Sequence, residues 1–138
     1  MLVYKNFKDI TKESLELRRE VFIMEQKVPL ELELEADEDK HIHCCLYEND
    51  ILIAYARVFL SNPTIISRVC VKKEYRNLGY GKKIMGYAES QIPMRKVEIQ
   101  LHAQLHAAPF YESLGYTSYG RSFSEANIEH INMKKIKV

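Results

Sequence analysis

The stretch "VCVKKEYRNLGYGKK", residues 69–83, joins an apolar, strand-like run to an amphipathic, helix-like run through a basic turn with two glycines. Such a turn aims several backbone N–H groups at one point, where the positive end of the helix dipole also lies. Arg76, Lys82 and Lys83 add full positive charges. The stretch therefore predicts a phosphate or pyrophosphate site, and the alternative is a left-handed turn whose basic residues are only solvated.

The spacing argues against the two commonest nucleotide motifs. A Walker loop requires Gly-x-x-x-x-Gly-Lys-Ser/Thr, but position 76 is Arg and position 83 is Lys. A dinucleotide fingerprint requires Gly-x-Gly-x-x-Gly/Ala, which Gly79 and Gly81 fit and Ile84 does not. The phosphate-bearing ligand is therefore expected to be of another kind.

Length and charge limit the class of protein. A chain of 138 residues predicts one domain, 1–138, which is long enough to bury a core without disulfides or metals. Its formal net charge is +1, so it has no global basic field. Neither nucleic acid nor a membrane is therefore an expected partner, and any anion site must be local.

Cysteine usage and apolar runs predict a cytoplasmic protein. Cys44, Cys45 and Cys70 form no even framework, which favours a reducing compartment. No CxxC or HExxH spacing is present, so no metal is expected. The first residues lack the apolar core of a signal peptide, and the longest apolar run, 51–60, is too short to span a bilayer.

Hydrophobic periodicity predicts an α/β protein with a mixed sheet and helices on both faces. The acidic segment 31–39 is expected to be a solvated loop or a short helix. Strands are predicted at 2–7, 41–48, 51–60, 64–71, 96–103, 116–120 and 129–136, and helices at 11–26 and 79–91, with a short one that ends at Gly115.

Two motifs carry a resemblance to a known family. Arg-x-x-Gly-x-Gly, residues 76–81, follows the strand "RVCV" and resembles the coenzyme A pyrophosphate loop of the GNAT superfamily of N-acetyltransferases. "PFYESLGY", residues 109–116, resembles that superfamily's second acyl-CoA segment. The stretches 17–33, 102–111 and 128–133 are similar to the ElaA-like subgroup, which includes YjcF-like proteins. The resemblance covers nearly the whole chain and implies a strongly bent mixed sheet of about seven strands, with coenzyme A between the fourth and fifth.

The resemblance implies that acetyl-CoA is the co-substrate. The backbone of Val69, Cys70 and Val71 would pair with the pantetheine arm, and the N–H groups of residues 77–82 would hold the pyrophosphate. Gly79 and Gly81 would let the backbone approach the ligand closely. The full set implied for the cofactor is Val69, Cys70, Val71, Arg76, Asn77, Leu78, Gly79, Tyr80, Gly81, Lys82 and Phe110.

For the reaction, Tyr111 matches the superfamily tyrosine that protonates the leaving thiolate, although an aromatic residue at such spacing can also be a core residue. The backbone N–H near Val69 would stabilise the oxyanion. Cys70 lies between valines and is interpreted as a small buried side chain, so direct transfer in a ternary complex is expected. Candidates for the general base are Glu25, His102 and His130, or a water chain.

The acceptor pocket is expected to include Glu25, Arg57, Arg68 and Gln104. The arginines would suit an acceptor with a carboxylate or phosphate, whereas the acidic segment 31–39 would suit a cationic amine. The predicted function is an acetyl-CoA-dependent N-acetyltransferase that acts on a small-molecule primary amine. The alternatives are a non-catalytic acyl-CoA-binding sensor or interaction module, and a binder of nucleotide phosphates. A homodimer is the expectation from base rates alone.

Overall fold

Seven strands form one mixed sheet in the computed structural model, which describes residues 1–138. The strands are β1 (Leu2–Phe7), β2 (Ile42–Glu48), β3 (Ile51–Phe59), β4 (Thr64–Val71), β5 (Glu98–Gln104), β6 (Thr117–Glu125) and β7 (Ile128–Ile136). The α-helices are α1 (Lys12–Arg18), α2 (Leu30–Glu33), α3 (Tyr80–Ser90) and α4 (Ala108–Ser113).

The strand order across the sheet is β1-β2-β3-β4-β5-β7-β6. All neighbouring strands are antiparallel except β4 and β5, which are parallel and joined through α3. The crossover through a helix is what a parallel connection requires. The expected mixed sheet of seven strands is therefore confirmed.

A separate hydrophobic core lies on each face of the sheet. On one face, α3 buries Ile84, Met85 and Ala88 against the central strands. On the other face, the first helix buries Leu17 and Val21 in a smaller cluster. These positions recur at helical spacing, which is why the sequence pattern predicts helices on both faces. None of the helices is long and apolar enough to cross a membrane.

The first helix changes its winding halfway along. Thr11 caps its N-terminus by accepting a hydrogen bond from the Ser14 backbone N–H at 3.1 Å. Helix α1 then continues without a break as a π-helical segment, Arg19–Glu25. The predicted helix 11–26 therefore has the correct extent, but apolar spacing does not distinguish the wider winding of its second half.

The acidic segment differs from the expectation of a solvated loop. Its first part is the short helix α2, as the second alternative held, but Glu33 and Glu38 are buried. Both accept hydrogen bonds from Arg18, which is itself fully buried, at 2.6 and 2.9 Å. Burying these carboxylates is possible because buried arginines neutralise them.

The last hairpin is longer than predicted. Strand β6 continues to Glu125, and its turn to β7 is Ala126-Asn127, where both residues have positive φ angles of 51° and 63°. Two left-handed residues give a turn whose twist matches the strands. The sequence does not indicate this part of the strand, because residues 120–127 are mostly polar. The extension brings Glu125 to a cavity beside β4 and β5.

Helix α4 ends in the manner expected for Gly115. Gly115 has a φ of 96°, and its N–H bonds the carbonyl of Glu112 at 3.0 Å. The N–H of Tyr116 bonds the carbonyl of Tyr111 at 3.1 Å. This pair of bonds is a Schellman motif. It fixes the end of the helix that carries Tyr111.

Candidate active site

The site is a cleft that opens where β4 and β5 separate. The two strands pair only at Thr64 with Ile99 and at Ile65 with Gln100, although β4 runs on to Val71 and β5 to Gln104. A cavity of about 1040 Å³ lies in this gap. The expected cleft between the fourth and fifth strands is therefore present, and its walls are the unpaired halves of both strands.

A bulge in β4 shapes one wall of the cleft. Tyr55 pairs with Cys70 and Arg57 with Ser67, so Arg68 and Val69 together face one residue of β3. Arg68 adopts a left-handed backbone conformation with a φ of 56°. A bulge bends the strand and re-aims the residues after it. Residues 69–71 consequently present their backbone to the cavity along an edge that β5 does not cover.

The N-terminus of α3 points at the same cavity. Gly79 precedes the helix with a φ of 88°, which favours glycine, and it lines the cavity with Gly81 and Lys82. The first backbone N–H groups of a helix have no partner within it, and the first turn of α3 contains no acidic residue. These groups and Lys82 can hold an anion.

Side-chain packing accounts for the glycine at position 81, whereas the sequence suggested the close approach of a ligand. A Cβ at this position would lie 3.1 Å from Cζ of Phe110 and would push its ring back by a few tenths of an ångström, so Gly81 favours the close packing of α4 on α3. The close approach of a ligand is not required to explain it. Phe110 in turn lines the cavity.

Most of the predicted cofactor residues meet at this cavity, and their binding roles stay predictions. Two of them do not line it: Leu78 is exposed, and the hydroxyl of Tyr80 donates to Glu48 at 3.3 Å. Any part they have would be through the backbone. The residues that do line it are Val69, Cys70, Val71, Arg76, Asn77, Gly79, Gly81, Lys82 and Phe110.

Glu25 and Arg76 form a two-pronged ion pair at the cavity rim. Nη1 and Nη2 of Arg76 each donate to one carboxylate oxygen of Glu25 at 2.8 Å, while its Nε donates to the carbonyl of Val71 at 2.9 Å. The hydrogen bond from Arg76 lowers the pKa of Glu25. A carboxylate held in this way is a weak base, which disfavours Glu25 as the general base.

Tyr111 lies on α4 in the wall of the cavity. Its ring packs edge-on against Phe110 and Tyr116, with centroids 5.0 and 6.0 Å away. Burial raises the pKa of the Tyr111 phenol, and the nearby thiol of Cys70 adds to the effect. The phenol is therefore protonated at neutral pH, as a proton donor must be.

Cys70 is a poor nucleophile in this environment. It is 5% exposed, and burial raises the pKa of its thiol. The thiolate is the reactive form of cysteine, and an apolar environment disfavours it. The environment of Cys70 thus favours direct transfer over a covalent acyl-enzyme.

Arg57 and Arg68, both expected in the acceptor pocket, do line the cavity, but each is bound within the chain. Arg57 donates to Glu35 at 2.6 Å and to Glu38 at 2.9 Å. Arg68 donates to the carbonyls of Leu32 and Glu33 at 3.0 and 2.9 Å. Burial would raise the pKa of Glu38, but hydrogen bonds and charge from the arginines, chiefly Arg18, lower it to about 2. Glu38 is therefore ionised at neutral pH.

The opposite wall carries two histidines that share one carboxylate. Nδ1 of His102 lies 3.1 Å from Oε1 of Glu125, and Nε2 of His130 lies 3.7 Å from Oε2 of the same residue. Gln104, on the same strand as His102, donates to Gln26 at 2.7 Å across the cavity. Sequence reasoning missed Glu125, because the predicted strand ended before it.

Comparison with known proteins supplies an independent finding. The family model described as an acetyltransferase (GNAT) domain matches residues 6–137. The uncharacterised N-acetyltransferase YjcF of Bacillus subtilis is 32% identical over 127 residues, which cover 90% of this chain and 91% of that protein. ElaA of Escherichia coli is 30% identical over 129 residues, or 88% of this chain and 84% of ElaA.

Solved structures agree with the sequence relatives. The crystal structure of Escherichia coli ElaA superimposes with a TM-score of 0.84 at 26% identity, and the match covers 98% of this chain and 99% of ElaA. An aminoglycoside 6'-N-acetyltransferase solved with coenzyme A has a TM-score of 0.72 at 15% identity, over 97% of this chain and 96% of that one. At such low identity the second likeness shows the fold alone.

Proposed function

The chain belongs to the GNAT family of acetyltransferases, and we propose that it moves an acetyl group from acetyl-CoA to the primary amine of a small molecule in one direct step. The observation that carries this proposal is the unpaired edge of β4 beside the N-terminus of α3, with Tyr111 in the same cavity. An elongated ligand with an amide-bearing arm and a diphosphate matches these two features.

The residues present fit acetyl-CoA as the co-substrate. The open backbone at 69–71 offers N–H and carbonyl groups to the pantetheine arm, like an added strand. Lys82 and the free N–H groups of α3 offer charge and hydrogen bonds to the pyrophosphate. Arg76 would contribute if the pyrophosphate replaced Glu25 as its partner.

The chemistry follows from where these groups lie. The acceptor nitrogen attacks the thioester carbonyl, and the backbone N–H of Val69, at the bulge, stabilises the oxyanion. The carbon–sulfur bond then breaks, and Tyr111 gives its proton to the departing thiolate. The amine loses one proton, the amide product forms, and the phenolate regains a proton from the base or from water.

The acceptor is a cation without a carboxylate of its own. Arg57 and Arg68 already hold acidic or carbonyl partners, so they leave no free cation for an anionic acceptor. Both arginines contact Glu35 through Oε1 alone, so Oε2 of this carboxylate, whose side chain is 45% exposed, is the atom that this wall still offers to a cation. This favours the cationic amine among the two acceptor types that the sequence left open.

We also propose that the protein works in the cytoplasm, because its three cysteines are buried free thiols. The decisive experiment for the function measures release of the coenzyme A thiol from acetyl-CoA with a panel of diamines, polyamines, amino sugars, amino acids and peptides. Turnover with a cationic amine is expected. Binding of coenzyme A without turnover on any acceptor would instead establish a non-catalytic acyl-CoA-binding module.

A further inference from the structure

We infer that Glu125 is a positioning residue that makes His102 the general base of the transfer, an inference that rests on the proposed function. The two side chains lie on strands that are separated by β7. His102 is in the middle of β5, and Glu125 is the last residue of β6, beyond β7. Both line the cavity that contains Tyr111. The side chain at the end of β6 therefore reaches β5 across β7.

The contact fixes which ring nitrogen of His102 carries hydrogen. A carboxylate oxygen only accepts hydrogen bonds, so the 3.1 Å contact with Oε1 of Glu125 requires a hydrogen on Nδ1 of His102. In a neutral imidazole, Nε2 is then the nitrogen with the lone pair. A histidine whose Nδ1–H is held by a carboxylate is the arrangement that prepares Nε2 to accept a proton.

His130 is constrained differently and does not compete for this role. Its Nδ1 donates to the carbonyl of Ile128 at 2.7 Å, and the ring is buried with a side-chain exposure of 8%. His102, by contrast, exposes 54% of its side chain. The ring of Phe123 lies next to both imidazoles, edge-on to His102 at 5.1 Å and stacked on His130 at 5.9 Å. These contacts help to hold both histidine rings in place.

Three carboxylates around the cleft already have arginine partners. Glu25 is held by Arg76, and Arg57 by Glu35 and Glu38, so none of these is free to remove a proton without losing a partner. The titratable and charged groups that line the cavity besides His102 and Glu125 are Glu33, Glu35, Asp37, His41, Arg57, Arg68, Cys70, Tyr75, Arg76, Lys82, His106, Tyr111 and His130. His102 is the one histidine among them with a carboxylate on Nδ1.

Every proton that moves in this transfer has a donor and an acceptor. As the amide bond forms, Nε2 of His102 takes one proton from the acceptor nitrogen and becomes positively charged. The carboxylate of Glu125 lies against that charge. Tyr111 gives one proton to sulfur as the carbon–sulfur bond breaks, and the proton on His102 can return to the phenolate through solvent. No oxidant, metal or further reactant is needed.

The first test examines the contact between His102 and Glu125 and does not require turnover. Nitrogen-15 NMR of the histidine rings in the whole protein at pH 8 distinguishes the two neutral tautomers. We expect the Nδ1–H form for His102, whereas an unconstrained histidine in water favours Nε2–H. An Nε2–H tautomer for His102 would overturn the inference even if the enzyme is active.

The second test is kinetic and uses a variant that keeps the shape of the side chain. Glu125→Gln is expected to lower kcat at least about ten-fold without changing the Kd for coenzyme A, and to move the acidic limb of the kcat profile to lower pH. Glu125→Asp should recover part of the loss. The matched control is Glu129→Gln, an exposed carboxylate on the same hairpin that makes no ion pair, which should behave as the parent protein.

A double-variant cycle separates positioning from general damage. If Glu125 acts through His102, Glu125→Gln should have no further effect on kcat in the His102→Ala background. Independent losses that multiply, or full activity in Glu125→Gln, would overturn the inference. Absence of turnover by the parent protein on every amine would instead overturn the proposed function, and the tautomer measurement keeps the two failures distinct.

Discussion

Arg76 and Glu25 hold each other at the rim of the cleft through two hydrogen bonds of 2.8 Å. Arg76 belongs to the motif that resembles a pyrophosphate loop, and Glu25 ends the π-helical segment of the first helix. In the proposed anion site, Arg76 is thus occupied by a carboxylate that a diphosphate would have to replace.

Replacement of Glu25 by Gln is expected to strengthen binding of coenzyme A about two- to five-fold, because a half-exposed ion pair no longer competes for Arg76. Activity with the amine acceptor should be largely retained. Calorimetry gives the affinity and steady-state kinetics give kcat. A loss of kcat above a hundred-fold with unchanged affinity would instead identify Glu25 as the base.

Tyr111→Phe should lower kcat by roughly 10²–10⁴-fold, because the ring is kept and only the proton donor is lost. Binding of coenzyme A and thermal stability should change little. The matched control is Tyr116→Phe, which removes a neighbouring hydroxyl that donates to Glu89 at 2.6 Å. That variant should lose stability and keep kcat, and equal kcat losses in both variants would argue against Tyr111 as the acid.

Gly81→Ala is expected to destabilise the fold by up to about 2 kcal/mol, because pressing on the ring of Phe110 costs more than the gain in helix propensity returns. It should also weaken binding of coenzyme A. Gly86→Ala in the same helix is the control, since a Cβ there meets nothing within 4 Å, and it should stabilise by about 0.5–1 kcal/mol. Urea unfolding measures both, and the smaller side chain at position 110 in Gly81→Ala/Phe110→Leu should restore part of the stability.

Glu38→Gln should lower the free energy of unfolding at pH 7 by about 3–5 kcal/mol, because Arg18 and Arg57 stay buried without their shared carboxylate. The pKa of Glu38 is lowered in the folded protein, so its contribution is complete above about 4.5 and is lost as the pH falls towards about 2.

The difference between parent and variant should therefore shrink across that pH window in urea titrations. Glu31→Gln, an exposed carboxylate in the same segment, is the control and should change stability little at any pH. A constant difference from pH 7 to pH 2 would contradict the assignment.

Local patterns predicted much of the fold. Alternation in 96–103 and helical spacing in 79–91 each match an observed element, and the resemblance of residues 76–81 to a coenzyme A loop agrees with the family that the comparisons identify. Each of these signals lies within one short stretch. Such local patterns can therefore be recognised in the sequence without knowing the tertiary contacts.

The rest depends on contacts between distant residues. Glu38 is buried because Arg18, twenty positions earlier, lies opposite it, and no local pattern distinguishes it from an exposed acid. Arg57 was expected in the acceptor pocket and does line the cavity, but its partners Glu35 and Glu38 come from the acidic segment. Glu125 at the end of β6 meets His102 on β5 across the intervening strand β7.

Strand β4 leaves the far half of its edge unpaired, and this has a consequence for the lifetime of the protein. If coenzyme A completes that edge, filling the cleft is part of folding, and each ten-fold rise in ligand above its Kd adds about 1.4 kcal/mol of stability. Open edges also invite pairing with other chains. The supply of acyl-CoA in a cell would then set how long the protein resists proteolysis and aggregation, so that starved cells lose the enzyme along with its substrate.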